Sequence, residues 1–526
     1  MKSFSILSVI SIIAVYLLMK VEPVVSTAPQ QSEKGAIQGL VVREGSNTPL
    51  PGVKVTVFQG GSDPLTTLTD SNGGFVLRGL AGTNTVQFII QGYTPRATSV
   101  TVTAGQTVTG LMMKLTQQGK VSGEVHDLGG NPIARVSVVL MTKDYYNDHW
   151  QLSPSGNAET DDRGQYRIFG VNPGNYFLQA FPTETNPGRA YVTRFYPDSF
   201  DLSQAVQVRV LPESDLHGLN FTFQRESLFH VRGRIVEDDG HAPNSVRLSF
   251  ERVNTLSSDS GDIPYDSGNG TFEIPGLPIG RYTLHAAVPG SACATNAGSG
   301  YRETGDTTIT IAGADLENVV IPLRQAACLS GMAKLPDGDS GDVSSFEFKL
   351  VSETSWLSGY FSAERDGAIK AVALVPGTYD LFLHSGSDNY YIKSARFGNM
   401  DVAYRSFDFQ TPNATSLQIV LGLKTAALTG IVRDENNQPC AGATVILVPV
   451  SAGDSGTRNE ISISDQNGQF IFKGGPGDYR VFAFESLEYL AWMQPDFLDK
   501  YNSQGTTVRL KEDATGTATV HLVTGK

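Results

Sequence analysis

Apolar and polar positions alternate in short runs along most of this chain, which is the pattern of half-buried β-strands. The clearest run covers residues 162–176 and reads DRGQYRIFGVNPGNY. A polar turn ends at a glycine, an alternating strand follows, a Pro-Gly turn reverses the chain, and an aromatic residue opens the next strand. This order predicts two neighbouring strands with defined turns at both ends.

The same order occurs five times, and the repeats differ mainly in how complete they are. The glycines that end the polar turn are Gly73, Gly164, Gly270, Gly367 and Gly468. Their spacing is about 100 residues, which is the size of a complete β-sandwich. In the first copy the aromatic residue after the second turn is missing, and we expect Val86 to take its place.

A second signal precedes each of these runs: a strand with a glycine in its middle. The glycines are Gly39, Gly123, Gly233, Gly331 and Gly430. A glycine inside a strand lets another backbone or a bulky ring come close. We therefore predict that each repeat forms its own core, and the few residues between repeats predict a semi-rigid rod.

Together these signals predict an all-β fold of five tandem Ig-like or prealbumin-like β-sandwich domains after a signal peptide. The predicted units are residues 1–28 for the signal peptide and 35–117, 119–225, 228–325, 327–425 and 426–526 for the sandwiches.

The N-terminal segment has the pattern of a targeting signal. Lys2 precedes an apolar run that ends at Lys20, and residues 26–28 (STA) resemble a cleavage site with small residues. An uncleaved anchor is the alternative, and cleavage stays open. We expect export, to the periplasm, the cell surface or the medium, with no membrane span in the mature chain.

Charge and cysteine content narrow the possible partners. The formal net charge is −13, from 53 acidic and 40 basic residues, which disfavours nucleic acid as a partner. Cysteine occurs at Cys293, Cys328 and Cys440. Cys293 and Cys328 lie near one predicted domain junction and could pair, although spacing alone does not establish the geometry.

The glycine-centred strand, the turn with proline and the Asp…Gly-x-aromatic…Pro-Gly-x-Tyr order resemble carboxypeptidase regulatory-like repeats, which are prealbumin-like (transthyretin-type) sandwiches. They are also similar to carbohydrate-binding-like (starch-binding type) folds and to Cna-B pilin-type domains. The resemblance extends from Gly35 to Lys526 and is weaker in the third and fourth units. Tandem arrays of such repeats occur in exported bacterial proteins, so the resemblance implies a fold and a setting, not an activity.

We tested the sequence for catalytic patterns. None of the eight histidines is followed by glutamate three residues later, as a zinc carboxypeptidase would need. Two Gly-Asp-Ser-Gly segments and the acidic runs at 259–266 and 337–342 are more typical of polar turns than of a protease nucleophile or a calcium site. We expect no enzyme activity, no catalytic residues, no metal and no cofactor.

Clusters of aromatic residues give the strongest indication of binding. Tyr145, Tyr146 and Trp150 lie in an insertion with polar flanks, so we expect their rings in a loop where they could stack on sugar faces. For two further groups, packing against a neighbouring strand or domain is favoured over binding. Those groups are Trp356, Tyr360, Phe361, Tyr390 and Tyr391, and Tyr489, Trp492, Phe497 and Tyr501.

Three functions are consistent with these patterns. The first is a structural, adhesive or scaffold role at the cell envelope, with another envelope protein as a possible partner. The second is carbohydrate binding through Tyr145, Tyr146 and Trp150. The third is an accessory role in a peptidase system.

Overall fold

The computed structural model describes residues 34–523, apart from 59–62, 147–148, 183–188, 238, 254–262, 291–292, 294–300, 353–357, 387–388, 404, 410–415, 451–458, 486, 488–491 and 493–494. The predicted signal peptide therefore lies outside the described residues. Among the described residues, no helix combines the length and the apolar character that crossing a membrane requires.

The first sandwich is made of β1 (Gly35–Arg43), β2 (Lys54–Val57), β3 (Leu65–Leu68), β4 (Gly74–Leu80), β5 (Gly82–Ile89), β6 (Arg96–Val102) and β7 (Thr107–Leu115). One sheet has the order β4-β1-β7 and another has the order β3-β2-β5-β6.

The second sandwich is made of β8 (Gly119–Asp127), β9 (Ser137–Tyr146), β10 (His149–Glu159), β11 (Gln165–Val171), β12 (Gly174–Phe181), β13 (Arg189–Tyr191), β14 (Arg194–Phe195), β15 (Val208–Val210), β16 (Asp215–Leu216) and β17 (Phe221–Phe223). Strands β11-β8-β16 form one sheet, with β17 also on β8, and β10-β9-β12-β14 form another, with β15 on β12. A 3-10 turn covers Leu202–Gln204. Strand β18 (Arg225–Ser227) belongs to the link to the next sandwich and pairs with β13.

The third sandwich is made of β19 (Phe229–Val236), β20 (Arg247–Arg252), β21 (Tyr265–Asp266), β22 (Thr271–Leu277), β23 (Gly280–Pro289), β24 (Tyr301–Ile311), β25 (Leu316–Pro322) and β26 (Arg324–Gln325). Its sheets have the orders β21-β22-β19-β25 and β20-β23-β24-β26.

The fourth sandwich is made of β27 (Ala327–Lys334), β28 (Glu347–Ser352), β29 (Ser358–Ser362), β30 (Ala368–Leu374), β31 (Gly377–Ser385), β32 (Tyr390–Phe397), β33 (Met400–Asp401), β34 (Phe407–Phe409) and β35 (Ser416–Leu423). Its sheets have the orders β30-β27-β35-β32-β33 and β29-β28-β31-β34, and a 3-10 turn covers Val343–Ser345.

The fifth sandwich is made of β36 (Ala426–Arg433), β37 (Thr444–Pro449), β38 (Glu460–Ile463), β39 (Gln469–Gly474), β40 (Gly477–Phe484), β41 (Thr506–Leu510) and β42 (Thr515–His521), with a short helix α1 (Pro495–Asp499). Its sheets have the orders β39-β36-β42 and β38-β37-β40-β41, and a 3-10 turn covers Asn502–Gln504.

The five sandwiches share one arrangement around their first strand. That strand pairs antiparallel with the strand of the repeated motif and parallel with a strand near the end of the unit, namely β7, β17, β25, β35 or β42. Each sandwich has its own apolar core cluster, and these five clusters have no residue in common. This confirms the predicted fold class, while the predicted residue boundaries of the units stay a prediction.

The glycine in the middle of each first strand lies where there is no room for a side chain. A Cβ atom on Gly39 would lie 2.8 Å from the ring of Phe75 and would overlap the carbonyl oxygen of Leu111 on the parallel strand. The same crowding recurs at Gly123, where the ring of Tyr166 would be 2.9 Å away. The predicted close approach of another backbone or a ring is therefore confirmed, and at Gly39 and Gly123 both occur.

The glycine that ends each polar turn adopts a backbone conformation that other L-residues rarely adopt. The φ values are +74° at Gly73, +73° at Gly164, +74° at Gly270, +90° at Gly367 and +74° at Gly468.

An aspartate closes the polar turn by accepting backbone hydrogen bonds. Asp70 Oδ1 accepts two N–H bonds of its own turn, both 2.8 Å long, and Asp465 does the same. In the second sandwich the equivalent residue is Asp161 and not Asp162, where the sequence analysis begins the motif. The carbonyl of Asp161 also accepts the N–H of Gly164, which explains why the glycine follows the aspartate by three residues.

The tyrosine that follows the second turn holds that turn closed. Tyr176, Tyr282, Tyr379 and Tyr479 each donate their hydroxyl to the carbonyl oxygen four residues earlier, at 2.8 to 3.0 Å. The rings of the first three are buried in their cores, and burial raises the pKa of Tyr379. These tyrosines are structural, as expected.

The first sandwich has Asn84 where the others have this tyrosine. Its Nδ2 donates to the carbonyl oxygens of Gly82 and Ala81, at 2.7 and 3.4 Å. The expectation that Val86 replaces the aromatic residue was therefore wrong, although Val86 is a core residue two positions further along β5. An apolar side chain could not satisfy the turn carbonyls, whereas an amide can.

A buried hydroxyl before the turn aspartate ties two turns together, and the sequence analysis missed it. Thr69 Oγ1 accepts the N–H of Val53 at 2.8 Å and donates to the carbonyl of Leu50 at 2.6 Å. Thr160 and Ser464 make the equivalent pairs of bonds in the second and fifth sandwiches. The available signal was a serine or threonine directly before the aspartate.

A pair of alanine substitutions tests how much the closed turn matters. Gly164 and Gly218 both have positive φ, but a Cβ on Gly164 would lie 2.5 Å from the Val125 carbonyl oxygen, whereas nothing lies within 4 Å of one on Gly218. We expect Gly218→Ala to destabilise the second sandwich by about 1 kcal/mol and Gly164→Ala by about 3 kcal/mol. Native-state hydrogen exchange of β8 and β11 measures both, and equal costs would contradict the steric explanation.

Candidate functional site

The insertion with Tyr145, Tyr146 and Trp150 forms the tip of the hairpin β9–β10. The backbone register pairs Tyr145 with Trp150 and Tyr146 with His149. The expectation of a loop was therefore wrong for the backbone, because aromatic residues favour strands and the ladder continues to the tip. The side chains of these residues lie outside the described part of the structure, so their role as a sugar site stays a prediction.

The base of this hairpin is anchored by an apolar cluster that is separate from the core. Met141 of β9 and Leu152 of β10 are buried together with Phe177 and Phe195. Because the base is buried and the ladder is continuous above it, the tip is held on a defined stem.

The second aromatic group is mostly structural. Tyr390 donates its hydroxyl to Asp339 Oδ2 at 2.6 Å, which lowers the pKa of Asp339, and its ring contacts Phe346 with centroids 4.9 Å apart. Phe361 is buried in the core. Trp356 lies outside the described residues.

Three residues of the third group pack onto the fifth sandwich, as favoured from the sequence, whereas Tyr489 lies outside the described residues. Phe497 and Tyr501 contact the ring of Phe484, with centroids 5.8 and 5.5 Å apart, and Trp492 belongs to the same cluster. Pro495 is the first residue of the short helix α1. Proline suits the first turn of a helix, where its missing N–H has no partner to lose.

The acidic residues that could be suspected of binding a metal serve local turns instead. Asp342 Oδ1 accepts the N–H of Ser344 at 2.9 Å, and Asp339 Oδ1 accepts that of Gly341 at 2.8 Å. Among the described residues, no group of three or more His, Cys, Asp or Glu side chains is arranged to hold a metal ion. In the acidic run at 259–266, residues 259–262 lie outside the described residues, and Asp266 Oδ1 accepts the N–H of Gly268 at 2.8 Å.

His285 is the histidine with the most perturbed surroundings. Its Nδ1 lies 2.6 Å from Asp306 Oδ1 and its Nε2 lies 3.5 Å from Glu251 Oε1. Burial alone would lower the pKa of His285, but the hydrogen bonds and charges of the two carboxylates outweigh it and raise the pKa to about 9. A histidine that is protonated at neutral pH suits an ion pair across β20, β23 and β24, and does not suit a zinc ligand or a general base.

The first two sandwiches are joined by polar contacts. Arg43 Nε donates to Glu213 Oε1 at 2.8 Å. Asn172 Oδ1 accepts hydrogen bonds from Thr94 and Gln118, at 3.0 and 2.9 Å.

The junction between the second and third sandwiches is built around buried arginines. Arg194 pairs with Asp198 and, at 2.7 Å, with Glu226 of β18. The ring of Phe200 contacts the guanidinium groups of Arg194 and Arg252, at 4.4 and 4.9 Å from its centroid. Since Arg252 belongs to the third sandwich, Phe200 connects the two units.

The junction between the third and fourth sandwiches is covalent. A disulfide joins Cys293 to Cys328, with Cα atoms 5.7 Å apart. This agrees with the pairing that the sequence left open. Next to it, Tyr301 of the third sandwich packs with Ala373 and Val375 of the fourth.

The fourth and fifth sandwiches meet through Lys424 and Tyr391. Lys424 Nζ donates to Glu460 Oε1 at 2.5 Å. The ring of Tyr391 lies against Gly475, where a Cβ atom would be 2.6 Å from it. All four junctions are therefore closed by direct contacts.

The first and fifth sandwiches also touch, and a cavity of about 640 Å³ lies between them. The side-chain amide of Gln466 accepts from the Thr101 N–H at 3.3 Å and donates to the Thr101 carbonyl at 3.2 Å. The expected rod shape was therefore wrong, since a straight rod would keep these sandwiches apart. The cavity lining is rich in hydroxyl groups, and its acid Asp465 is already bonded to its own turn.

The His285 ion pairs predict a pH dependence of stability. Because the pKa of about 9 in the folded state lies above the ordinary value of about 6.5, the stabilisation is fully present below about pH 6.5 and is lost as the pH rises through 9. We expect the third sandwich to lose at most about 3 kcal/mol of unfolding free energy over this range.

Native-state hydrogen exchange of β23 and β24 at pH 6.5 and 10 measures this loss. His285→Gln should flatten the dependence, whereas His384→Gln, whose ring is exposed, should leave it unchanged. Identical pH slopes in the wild type and in His285→Gln would contradict the assignment.

Comparison with known proteins finds a family model that matches residues 36–116 of the chain. No curated protein matches the chain. Among solved structures, a streptococcal ancillary pilin is 12% identical with a TM-score of 0.21, over 56% of this chain and 99% of the pilin. The minor pilin GBS52 of Streptococcus agalactiae is 15% identical with a TM-score of 0.22, over 36% of this chain and 95% of the pilin. Residues 36–116, which span the first sandwich, match the family model of the carboxypeptidase regulatory-like domain.

Proposed function

We propose that this chain is an exported, non-enzymatic protein with a structural or adhesive role at the cell envelope. The observation that carries the proposal is the closure of all four junctions between independent cores, by ion pairs, strand pairing, ring contacts and a disulfide. Independent cores with fixed junctions transmit position and load, because a displacement of one unit moves its neighbour.

The side-chain chemistry supports the same proposal. The repeated polar residues bond to their own turns, as Asp70 and Tyr176 do. Groups that are engaged in this way hold the fold and leave the outer surfaces free to differ between units. A disulfide is also stable in the oxidising setting outside the cytoplasm.

Antibody labelling of intact cells of the organism that carries the gene tests this function. We expect label on the wild-type envelope, no label on a deletion strain, and weaker attachment or altered envelope integrity in that strain. Recovery of the protein from the cytoplasmic fraction alone would contradict the proposal.

Carbohydrate binding at the hairpin tip is the second candidate. The observation that favours it is the backbone register, which pairs Tyr145 with Trp150 at the end of an anchored stem. Cross-strand partners are close neighbours, and paired aromatic residues flanked by Asp144 and Asp148 match the mixed apolar and hydroxyl character of a sugar.

A glycan array with the full chain and two variants tests this candidate. We expect Trp150→Ala to lose about five- to thirtyfold in affinity for any glycan bound, since stacking of one ring contributes about 1–2 kcal/mol. Phe169→Ala is the matched control, because Phe169 is 65% exposed in the same sandwich but lies outside the hairpin. Wild-type binding that survives Trp150→Ala would exclude the tip as the site.

A further inference from the structure

We propose that the Cys293–Cys328 disulfide diverts mechanical load around the C-terminal part of the third sandwich. When the chain is pulled, tension would pass from the end of β23 directly into the fourth sandwich. The residues between the two cysteines would then carry no load.

The position of the bond in the fold supports this path. Cys293 follows β23, and Cys328 is the second residue of β27, the first strand of the fourth sandwich. The bond closes a segment with a sequence separation of 35, which contains β24, β25 and β26. The third sandwich before Cys293 and the fourth sandwich after Cys328 are joined covalently in two ways, through this segment and through the two sulfur atoms.

Strand pairing shows what the bond changes. β19 and β25 are parallel neighbours, with Gly233 opposite Val319 and Ile235 opposite Ile321. Without the bond, force would enter at the start of β19 and leave after the end of β25, so this pair would be loaded in shear. With the bond, force leaves the third sandwich after β23, and β25 is unloaded.

Contacts beside the bond keep the unloaded segment in place. Ala326 N–H donates to the Arg302 carbonyl at 2.9 Å, and β26 pairs with β24 at Glu303 and Thr304. Tyr301 packs with Ala373 and Val375 of the fourth sandwich. These contacts hold β24 beside the fourth sandwich in addition to the disulfide.

The inference rests on the proposed structural role for its biological meaning, but the two are tested separately. Pulling single molecules measures the path of the force, whereas labelling of cells measures location. Either result can fail while the other stands.

Single-molecule force spectroscopy of the full chain, held by handles at its two ends, tests the proposal. The contact between the first and fifth sandwiches should open first, followed by unfolding steps of single sandwiches. The disulfide closes a segment with a sequence separation of 35, which therefore cannot extend when the third sandwich unfolds. This unfolding step is shorter by roughly 110 Å, at about 3.4 Å per residue. We expect one short step in oxidised protein that lengthens by this amount after reduction with dithiothreitol, which adds two electrons and two protons to give two thiols.

Two variants complete the experiment. The double variant Cys293→Ser, Cys328→Ser should show the long step without reductant, and Cys440→Ser, which removes the free thiol, should keep the short one. Oxidised wild-type protein with the same step lengths as reduced protein would overturn the proposal. If the double variant does not fold, the comparison of oxidised with reduced wild type still decides the question.

Discussion

Each sandwich depends on the close approach of a neighbouring backbone at the glycine of its first strand, and in four of the five an aromatic ring also comes within 3 Å of where a Cβ atom would lie. At Gly39 the parallel strand β7 and the ring of Phe75 occupy the space that any side chain would need. This contact fixes the register of the central strand against both neighbours, because a shift by one residue would bring a side chain into that space. The two turns of the motif then position the ring, one through a glycine with positive φ and the other through a hydroxyl or amide that bonds back to the turn.

The same constraint engages the repeated polar residues in holding the turns of the fold. A turn carboxylate such as that of Asp70 uses its oxygen on two backbone N–H groups, and a corner hydroxyl such as that of Tyr176 donates to a carbonyl. These repeated groups are engaged in the fold, whereas the hairpin tip of the second sandwich and the junctions differ between units.

Much of the fold could be predicted from sequence because its signals are local and repeated. Glycine with positive φ and tyrosine after a Pro-Gly turn have few alternative explanations, so five copies specify five modules. The errors occurred where a different side chain performs the same task. Asn84 bonds the turn carbonyls as an amide, so a search for an aromatic or apolar residue pointed to Val86. In the fourth sandwich, Ile369 stands where the other units have the aromatic residue of the first turn, and it pairs with Gly331.

The junctions could be predicted only in part, because they depend on residues far apart in sequence. Short linkers indicated closed junctions, but they could not show that Phe200 would contact Arg252, or that Gln466 would reach Thr101. The bend at each of the four junctions decides whether the ends of the chain meet, and the linker residues alone do not encode it. The short linkers do place neighbouring sandwiches in contact, because a link of a few residues is too short to leave a layer of water between them. The facing surfaces must therefore be compatible. Buried charges such as Arg194 with Glu226 satisfy this requirement with a defined geometry, because a misplaced partner would leave an arginine buried and unpaired.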